Sequence, residues 1–311
     1  MIVGAGGQIG SELVPHLRNL YGDNNVVAAD ISAEKCKALA EAGPFEVLNA
    51  LDGDSFSEIV KKYRIDTIFN LVALLSATGE KNPKIAWDIN IGALTNSLYI
   101  GKENNCAVFT PSSIGAFGND TPKNNTPQDT LQRSNTTIYG VCKVTGELLS
   151  DYYFHRFGVD TRSVRFPGLI SYVTMPGGGT TDYAVEIYYS AIRKGAFTCN
   201  VKAGTYMDMM YMPDALDAVV QLMEADPAKL KHRNSFNIAA MSFDPEEIAA
   251  EIRKHIPQFK LDYAIDPVKQ AIADSWPDSM DDSCAREEWG WNPKYNLANM
   301  TTDMLAKIRE S

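Results

Sequence analysis

Long apolar runs are the first thing this sequence lacks. No stretch approaches the roughly 20 consecutive apolar residues that cross a bilayer, so no membrane span and no membrane partner are expected. A basic excess is missing too. With 29 Lys and Arg against 39 Asp and Glu, the formal charge is -10. That is the wrong sign for nucleic acid or anionic lipid, and neither is expected as a partner. Cysteines are few and do not pair by pattern. The five are Cys36, Cys106, Cys142, Cys199 and Cys284, an odd number with no C-x-x-C. A disulfide framework is therefore not expected, and a reducing, cytoplasmic setting is. Histidine is scarce as well. His16, His155, His232 and His255 are widely spaced. They form no metal-ligand motif, each reads as a surface or capping residue, and no metal is expected. Three residues precede Gly4 in the chain as given, and no signal peptide is expected.

What is present is an ordinary globular composition. The chain has 311 residues, 45% hydrophobic and 22% charged, enough for one large domain or a domain with a smaller lobe. Strand-like and helix-like runs alternate, the pattern of a doubly wound parallel α/β sheet of Rossmann type. Ile2-Val3 is a clipped first strand. Ile9 to Leu20 reads as a helix with Ile9, Leu13, Leu17 and Leu20 on one face. Further strands are expected at 26–29, 45–49, 67–72, 107–110 and 161–166. Ser32 is expected to cap a helix rich in Ala, Lys and Glu. After Phe166 the texture changes. Pro167, Pro176 and Gly177-Gly178-Gly179 mark irregular structure. A dinucleotide-binding domain over 1–166 is expected, with the chain returning to it at about 203–240. A smaller α/β substrate lobe is expected over 167–202 and 241–311.

Two motifs carry chemistry. The first is Gly4-Ala5-Gly6-Gly7-Gln8-Ile9-Gly10, or G-x-x-G-x-x-G, where a strand should turn into a helix. Such glycines let the backbone approach a pyrophosphate, and the helix offers free N–H groups and a positive dipole end. Asp30 stands twenty residues after Gly10, at a strand end. An acid there accepts hydrogen bonds from the adenosine ribose and repels a 2′-phosphate, which points to NAD over NADP. Asp52 can receive the adenine amino group. Asp30 could instead be a helix cap, and Asp52 a loop residue.

The second motif is Tyr139-Gly140-Val141-Cys142-Lys143, Y-x-x-x-K, which puts a phenol and an ammonium on one helix face. The ammonium and a nicotinamide cation both favour the phenolate. Tyr139 can then act as general base on an alcohol, while Lys143 also holds the nicotinamide ribose. Pro111-Ser112-Ser113 ends the fifth strand, where ligands of open α/β sheets sit. Ser113 is the expected partner of the substrate oxygen, with Ser112 the near alternative. Cys142 reads as packing, and the methionines of Met207 to Met212 as core filler.

In this order, these motifs resemble the extended short-chain dehydrogenase/reductases, relatives of the nucleotide-sugar epimerases. Asn70 to Ala77, Pro111 to Ile114, Asn125 to Gln128, Pro176 to Ala184, Met209 to Met212 and Ser275-Trp276-Pro277 are similar to the metal-independent L-threonine 3-dehydrogenases. The resemblance implies oxidation of the threonine β-hydroxyl by NAD to 2-amino-3-oxobutanoate, without zinc, and a homodimer paired through the helix of Tyr139 and the one before it. It implies cofactor contacts at Gln8, Ile9 and Ile31 beside the glycine turn. Leu51, Leu71, Ala73, Leu75 and Asn90 follow along the sheet edge. Pro111, Ser112, Phe166, Pro167 and Ile170 complete the set. It places substrate at Ser76, Ser113, Tyr139, Gly178, Thr180, Thr181 and Trp276. The amides of Gly177 to Thr181 are expected to meet its carboxylate, and Trp276 to close over it. Two departures are the clipped first strand and Pro213, which stands where an acid is expected beside Asp214.

Two other readings stay open. One is a nucleotide-sugar epimerase or dehydratase, which usually carries R-D-F-I-Y-V where this chain has Met207-Asp208-Met209-Met210-Tyr211-Met212. A methionine there leaves a diphosphate without its bidentate cation. The other is a non-catalytic NAD(P) sensor, which has no need of Ser113, Tyr139 and Lys143 together.

Overall fold

The computed structural model describes residues 1–130, 134, 136–175 and 177–310; Pro176 of the expected irregular stretch lies outside them. Along the chain the strands are β1 (Ile2–Val3), β2 (Ala28–Asp30), β3 (Phe45–Val47), β4 (Thr67–Asn70), β5 (Ala107–Phe109), β6 (Ser112–Ser113) and β7 (Thr161–Arg162). There follow β8 (Val164–Phe166), β9 (Gly168–Ile170), β10 (Ala196–Cys199), β11 (Met207–Tyr211), β12 (Phe236–Asn237), β13 (Met241–Phe243) and β14 (Lys260–Tyr263). Six of them form a parallel sheet in the order β3-β2-β1-β4-β5-β7. The order reverses at β1, which has β2 on one side and β4 on the other. In such sheets that switch point opens a crevice beyond the strand ends.

Both faces of this sheet are covered. Val3, Ile59, Ile68 and Ile100 are buried on one. Leu13, Phe109, Phe166, Phe236 and Trp291 are buried on the other. A third apolar cluster gathers Tyr183, Tyr188, Met209, Trp276 and Met304 around the helix Tyr183–Lys194. Met207, Met209, Met210 and Met212 are all fully buried, as core filler should be.

The expected single strand over 161–166 is two. The chain leaves the six-stranded sheet at Ser163, whose N–H donates to Arg233 O and whose carbonyl accepts from Phe236 N. It then enters a second sheet, β12-β8-β6, in which Ser112 pairs with Arg165 and Ser113 with Phe166. The serines thus form their own short strand rather than the end of β5. The stretch expected to return to the main sheet joins other partners: β11 lies between β9 and β13, and β12 pairs with β8.

Smaller corrections follow local hydrogen bonding. The first helix spans Gln8–Tyr21, but Leu20 is half exposed, so its buried face ends at Leu17. Ser32 does not cap a helix. Its hydroxyl accepts from Lys35 N in a turn, and the next helix starts at Lys37 after Cys36.

One acid is buried in β11. Asp208 accepts from the amide of Met280, yet burial, with Asp282 nearby, pushes its pKa up from 3.8 to about 8. The folded protein therefore keeps a proton that the unfolded chain loses near pH 4. This contribution to stability is complete below the unfolded value and is lost as pH rises through the folded one, with a slope of at most ~1.4 kcal/mol per pH unit in between. Asp208→Asn should flatten the fall in denaturant midpoint between pH 5 and pH 8. An unchanged slope in the variant would show that Asp208 is ionised throughout.

Candidate active site

A cleft of about 460 Å³ opens at the switch point. Gly4, Gly7, Gln8, Ile9 and Gly10 form one end of it. Gly4 adopts φ +85°, a left-handed conformation that suits glycine. A Cβ on Gly10 would lie 2.5 Å from Gly4 O and 2.7 Å from Ala5 Cα, so only glycine lets the helix start so close to the strand. That helix begins after Gly7 with no side-chain cap, which leaves its first amides without a protein acceptor. Gln8 Nε2 is buried there without a hydrogen-bond partner. Unpaired donors at a helix N-terminus fit a pyrophosphate.

Asp30 is oriented by two amides: Oδ2 accepts from Gly6 N at 2.8 Å and Oδ1 from Ser32 N at 2.9 Å. Gly6 was not singled out in the sequence, because it falls between the motif glycines. Lys35 also lines the cleft.

Leu71, Ala73, Leu75, Pro111, Ser112, Phe166 and Pro167 line the cleft as expected. Asp30, Ile31, Leu51, Asp52, Asn90, Ile170 and Gly178 are not among its lining residues. Asp52 caps the helix Gly53–Tyr63, accepting from Ser55 N at 3.1 Å and Ser55 Oγ at 2.7 Å. Asn90 grips the backbone of Leu74, accepting from its N at 2.7 Å and donating to its O at 3.2 Å. It therefore shapes the loop that carries Ala73 and Leu75 to the cleft.

Tyr139 and Lys143 lie on the helix Ile138–Phe157. Thr137 caps it by accepting from Gly140 N at 3.0 Å, and Glu80 accepts from Ile138 N at 2.7 Å. Lys143 Nζ donates to Pro111 O at 2.6 Å and sits 5.3 Å from the centre of the Tyr139 ring. A Cβ on Gly115 would meet Tyr139 Cε1 at 3.1 Å and Ser113 Oγ at 3.4 Å. The phenol ring and that hydroxyl thus both crowd against Gly115, and both residues line the cleft.

The two serines differ in their partners. Ser112 Oγ donates to Glu147 Oε1. Ser113 Oγ accepts from Gly115 N at 3.1 Å, which leaves its proton for another acceptor. Glu147 in turn is held by Arg165 through two bonds, Nε to Oε1 at 3.1 Å and Nη2 to Oε2 at 3.0 Å. Cys142 is buried beside them, and burial raises its thiol pKa; it packs, as expected.

At the other end, Ser76, Thr180, Thr181 and Trp276 line the cleft. Ser76 Oγ and Thr180 Oγ1 are 3.4 Å apart. The glycine amides are not free, however. Asp182 accepts from Gly178 N at 2.9 Å and Gly179 N at 2.7 Å. Two donors expected to face a substrate carboxylate are therefore taken by the chain itself. Burial raises the Asp182 pKa, and its side of the cleft is anionic when ionised. Trp276 is 5% exposed. Lys123 Nζ donates to its carbonyl at 2.7 Å and to that of Asp274, so this segment is anchored from across the lobe.

A cleft so built defines an α/β oxidoreductase that works on a bound dinucleotide. The chain belongs to the NAD dependent epimerase/dehydratase family, whose model matches residues 1–239, and its cofactor is NAD. It is 58% identical over 310 residues to an uncharacterized epimerase/dehydratase of Staphylococcus haemolyticus, covering 100% of this chain and 97% of that one. It is similar to the solved L-threonine dehydrogenase of Clostridium difficile, with 58% identity, TM-score 0.97, and 99% and 97% of the two chains covered. It is also similar to a monomeric L-threonine 3-dehydrogenase from a metagenome, with 41% identity, TM-score 0.95, and 99% and 98% covered.

The turn geometry gives a direct test. Gly10→Ala forces a methyl into backbone atoms, an overpacking that usually costs ~1–3 kcal/mol. The denaturant midpoint and NAD affinity, by titration calorimetry, should both fall. Unchanged NAD affinity would separate this turn from the cofactor.

Proposed function

We propose that the protein oxidises the 3-hydroxyl of L-threonine to give 2-amino-3-oxobutanoate. The observation that carries this reading is that Ser113, Tyr139 and Lys143 line one cleft together, with Thr180, Thr181 and Asp182 on its wall. Ser113 donates to the substrate oxygen, and Tyr139 takes the hydroxyl proton as general base. Lys143, 5.3 Å from the centre of the Tyr139 ring, holds the nicotinamide ribose. When bound, NAD supplies the two-electron acceptor. Thr180 and Thr181 offer hydroxyls to the carboxylate of the amino acid. The Asp182 carboxylate faces its ammonium. Trp276 closes over the substrate, excluding water and aligning C3. No metal takes part in these steps.

The reading divides the chain into a dinucleotide-binding part, 1–166 with a return at about 203–240, and a substrate lobe over the rest. The C-terminal segment crosses back once, since Ala285 and Trp291 pack under the main sheet. A nucleotide-sugar substrate is disfavoured, because fully buried Met207 offers no cation to a diphosphate. The setting we infer is cytoplasmic.

NADH formation followed by absorbance tests the assignment. L-threonine should be turned over, D-threonine and simple 2-alkanols should be inert, and serine, lacking the methyl, should lose ~10–200-fold in kcat/KM. Tyr139→Phe should cost ~10²–10⁴ in kcat with NAD affinity nearly kept. Turnover of a UDP-sugar but not of threonine would replace this reading by the epimerase one.

We also infer a homodimer through the helices Pro83–Asn104 and Ile138–Phe157, which pack on each other. They expose Ile85, Trp87, Tyr99, Leu148, Tyr152 and Phe157, large apolar side chains that a partner subunit would cover. Leu148→Asp should turn a dimer into a monomer in sedimentation. A wild-type protein that is monomeric at every concentration, as one similar enzyme is described to be, would end this proposal.

A further inference from the structure

His232, expected as a surface or capping residue, is part-exposed. It sits in a cluster with Cys284 and Glu288, whose ligating atoms all lie within 4.8 Å of one another. None of the three lines the catalytic cleft. Cys284 and Glu288 are one turn apart on the helix Ser283–Trp289, so both side chains leave the same face. His232 comes from the loop that leads into β12.

The ring's two nitrogens have different partners. Nδ1 meets Glu288 Oε1, while Nε2 lies 3.2 Å from Asp129 Oδ2. Glu288 is itself fixed: its Oε2 accepts from Lys231 N at 2.6 Å and from His232 N at 3.1 Å. This is the arrangement found around ligated metals. One imidazole nitrogen faces the metal, the other donates to an outer carboxylate, and the ligating carboxylate is oriented by further hydrogen bonds.

We propose that His232 Nδ1, Cys284 Sγ and Glu288 Oε1 form a binding site for a divalent, borderline-soft cation of the zinc class, with water in the fourth position. A nitrogen, a thiolate and a carboxylate oxygen are its ordinary ligands. Asp129 acts from the outer shell by holding the Nε2 proton. The surroundings are acidic enough to attract the ion. Asp129, Asp281, Glu287 and Glu288 all raise the Cys284 thiol pKa, after burial as the largest cause. A bound dication reverses that balance and takes the thiol as thiolate. Without the ion, His232 can bridge the two carboxylates as an imidazolium, so protons compete with the metal and affinity falls as pH falls. The ion ties the helix Ser283–Trp289 to the β12 loop and, through His232, to the Asp129 loop. The site is structural and independent of the reaction in the cleft.

Full-length protein stripped with chelator and titrated with zinc in a calorimeter provides the test. One equivalent should bind and should raise the unfolding midpoint. Cobalt in its place should show a thiolate-to-metal charge-transfer band. The other four cysteines are buried, so that band reports on Cys284. Cys284→Ser should abolish the band. Asp129→Asn changes a side chain that is 80% exposed and should keep the fold; it should weaken zinc ~10–100-fold, the usual cost of losing an outer-shell partner. NAD-dependent turnover of the chelated enzyme should be unchanged. Absence of stoichiometric binding, a cobalt spectrum without the thiolate band, or equal zinc affinity in Asp129→Asn would each overturn the proposal.

Discussion

The buried pair of Arg165 and Glu147 is the interaction on which the candidate site depends. The two side chains are 7% and 6% exposed, and Arg165 also donates to Gln128 O and Asn237 Oδ1, both at 3.0 Å. One guanidinium thereby joins β8, β12, the loop at Gln128 and the helix of Tyr139. Removing one partner from such a pair leaves an uncompensated buried charge and costs ~3–5 kcal/mol. Its reach extends to Ser112, whose hydroxyl is bound to Glu147. Neighbouring residues of a strand face opposite ways. With Ser112 turned toward the ion pair, Ser113 is presented on the other side.

The elements that position the site were largely legible in the sequence. The glycine turn, the parallel strands, and the shared face of Tyr139 and Lys143 all follow from local rules of spacing and period. Where the reading failed, a partner distant in sequence decided the outcome. The run 161–166 looks like one strand because every residue suits a strand; the break at Ser163 comes from Arg233 and Phe236. Arg165 and Glu147 carry no motif and are eighteen residues apart, so their pairing is visible only in the fold. Asp52, expected at the adenine or in a loop, instead caps the helix Gly53–Tyr63. Leu20 continues the helical period past the point where there is anything left to cover it.

Two helix N-termini face the cleft, and they are finished differently. The one after Gly7 has no side-chain cap. At the other, Asp182 bonds the amides of Gly178 and Gly179 just ahead of the helix Tyr183–Lys194. The first is open to an anion. The second has its anion built in, and so presents negative charge where glycines and a helix start would imply positive. A glycine run before a helix was therefore a sound signal for a turn and a poor signal for the charge of what it binds. The acid three residues after Gly179 was the readable clue.

Burial of the cysteines bears on how the molecule withstands its chemical surroundings. The thiols of Cys36 and Cys199 are pushed up to about 11, and burial also raises those of Cys106 and Cys142. Thiolate is the form that attacks alkylating agents and oxidants, and at neutral pH these four side chains hold almost none of it. Cys142 lies on the very helix that carries Tyr139 and Lys143, yet it presents no nucleophile to a peroxide or an electrophile. These four sulfurs are thus shielded from oxidants, which leaves part-exposed Cys284 as the thiol open to them.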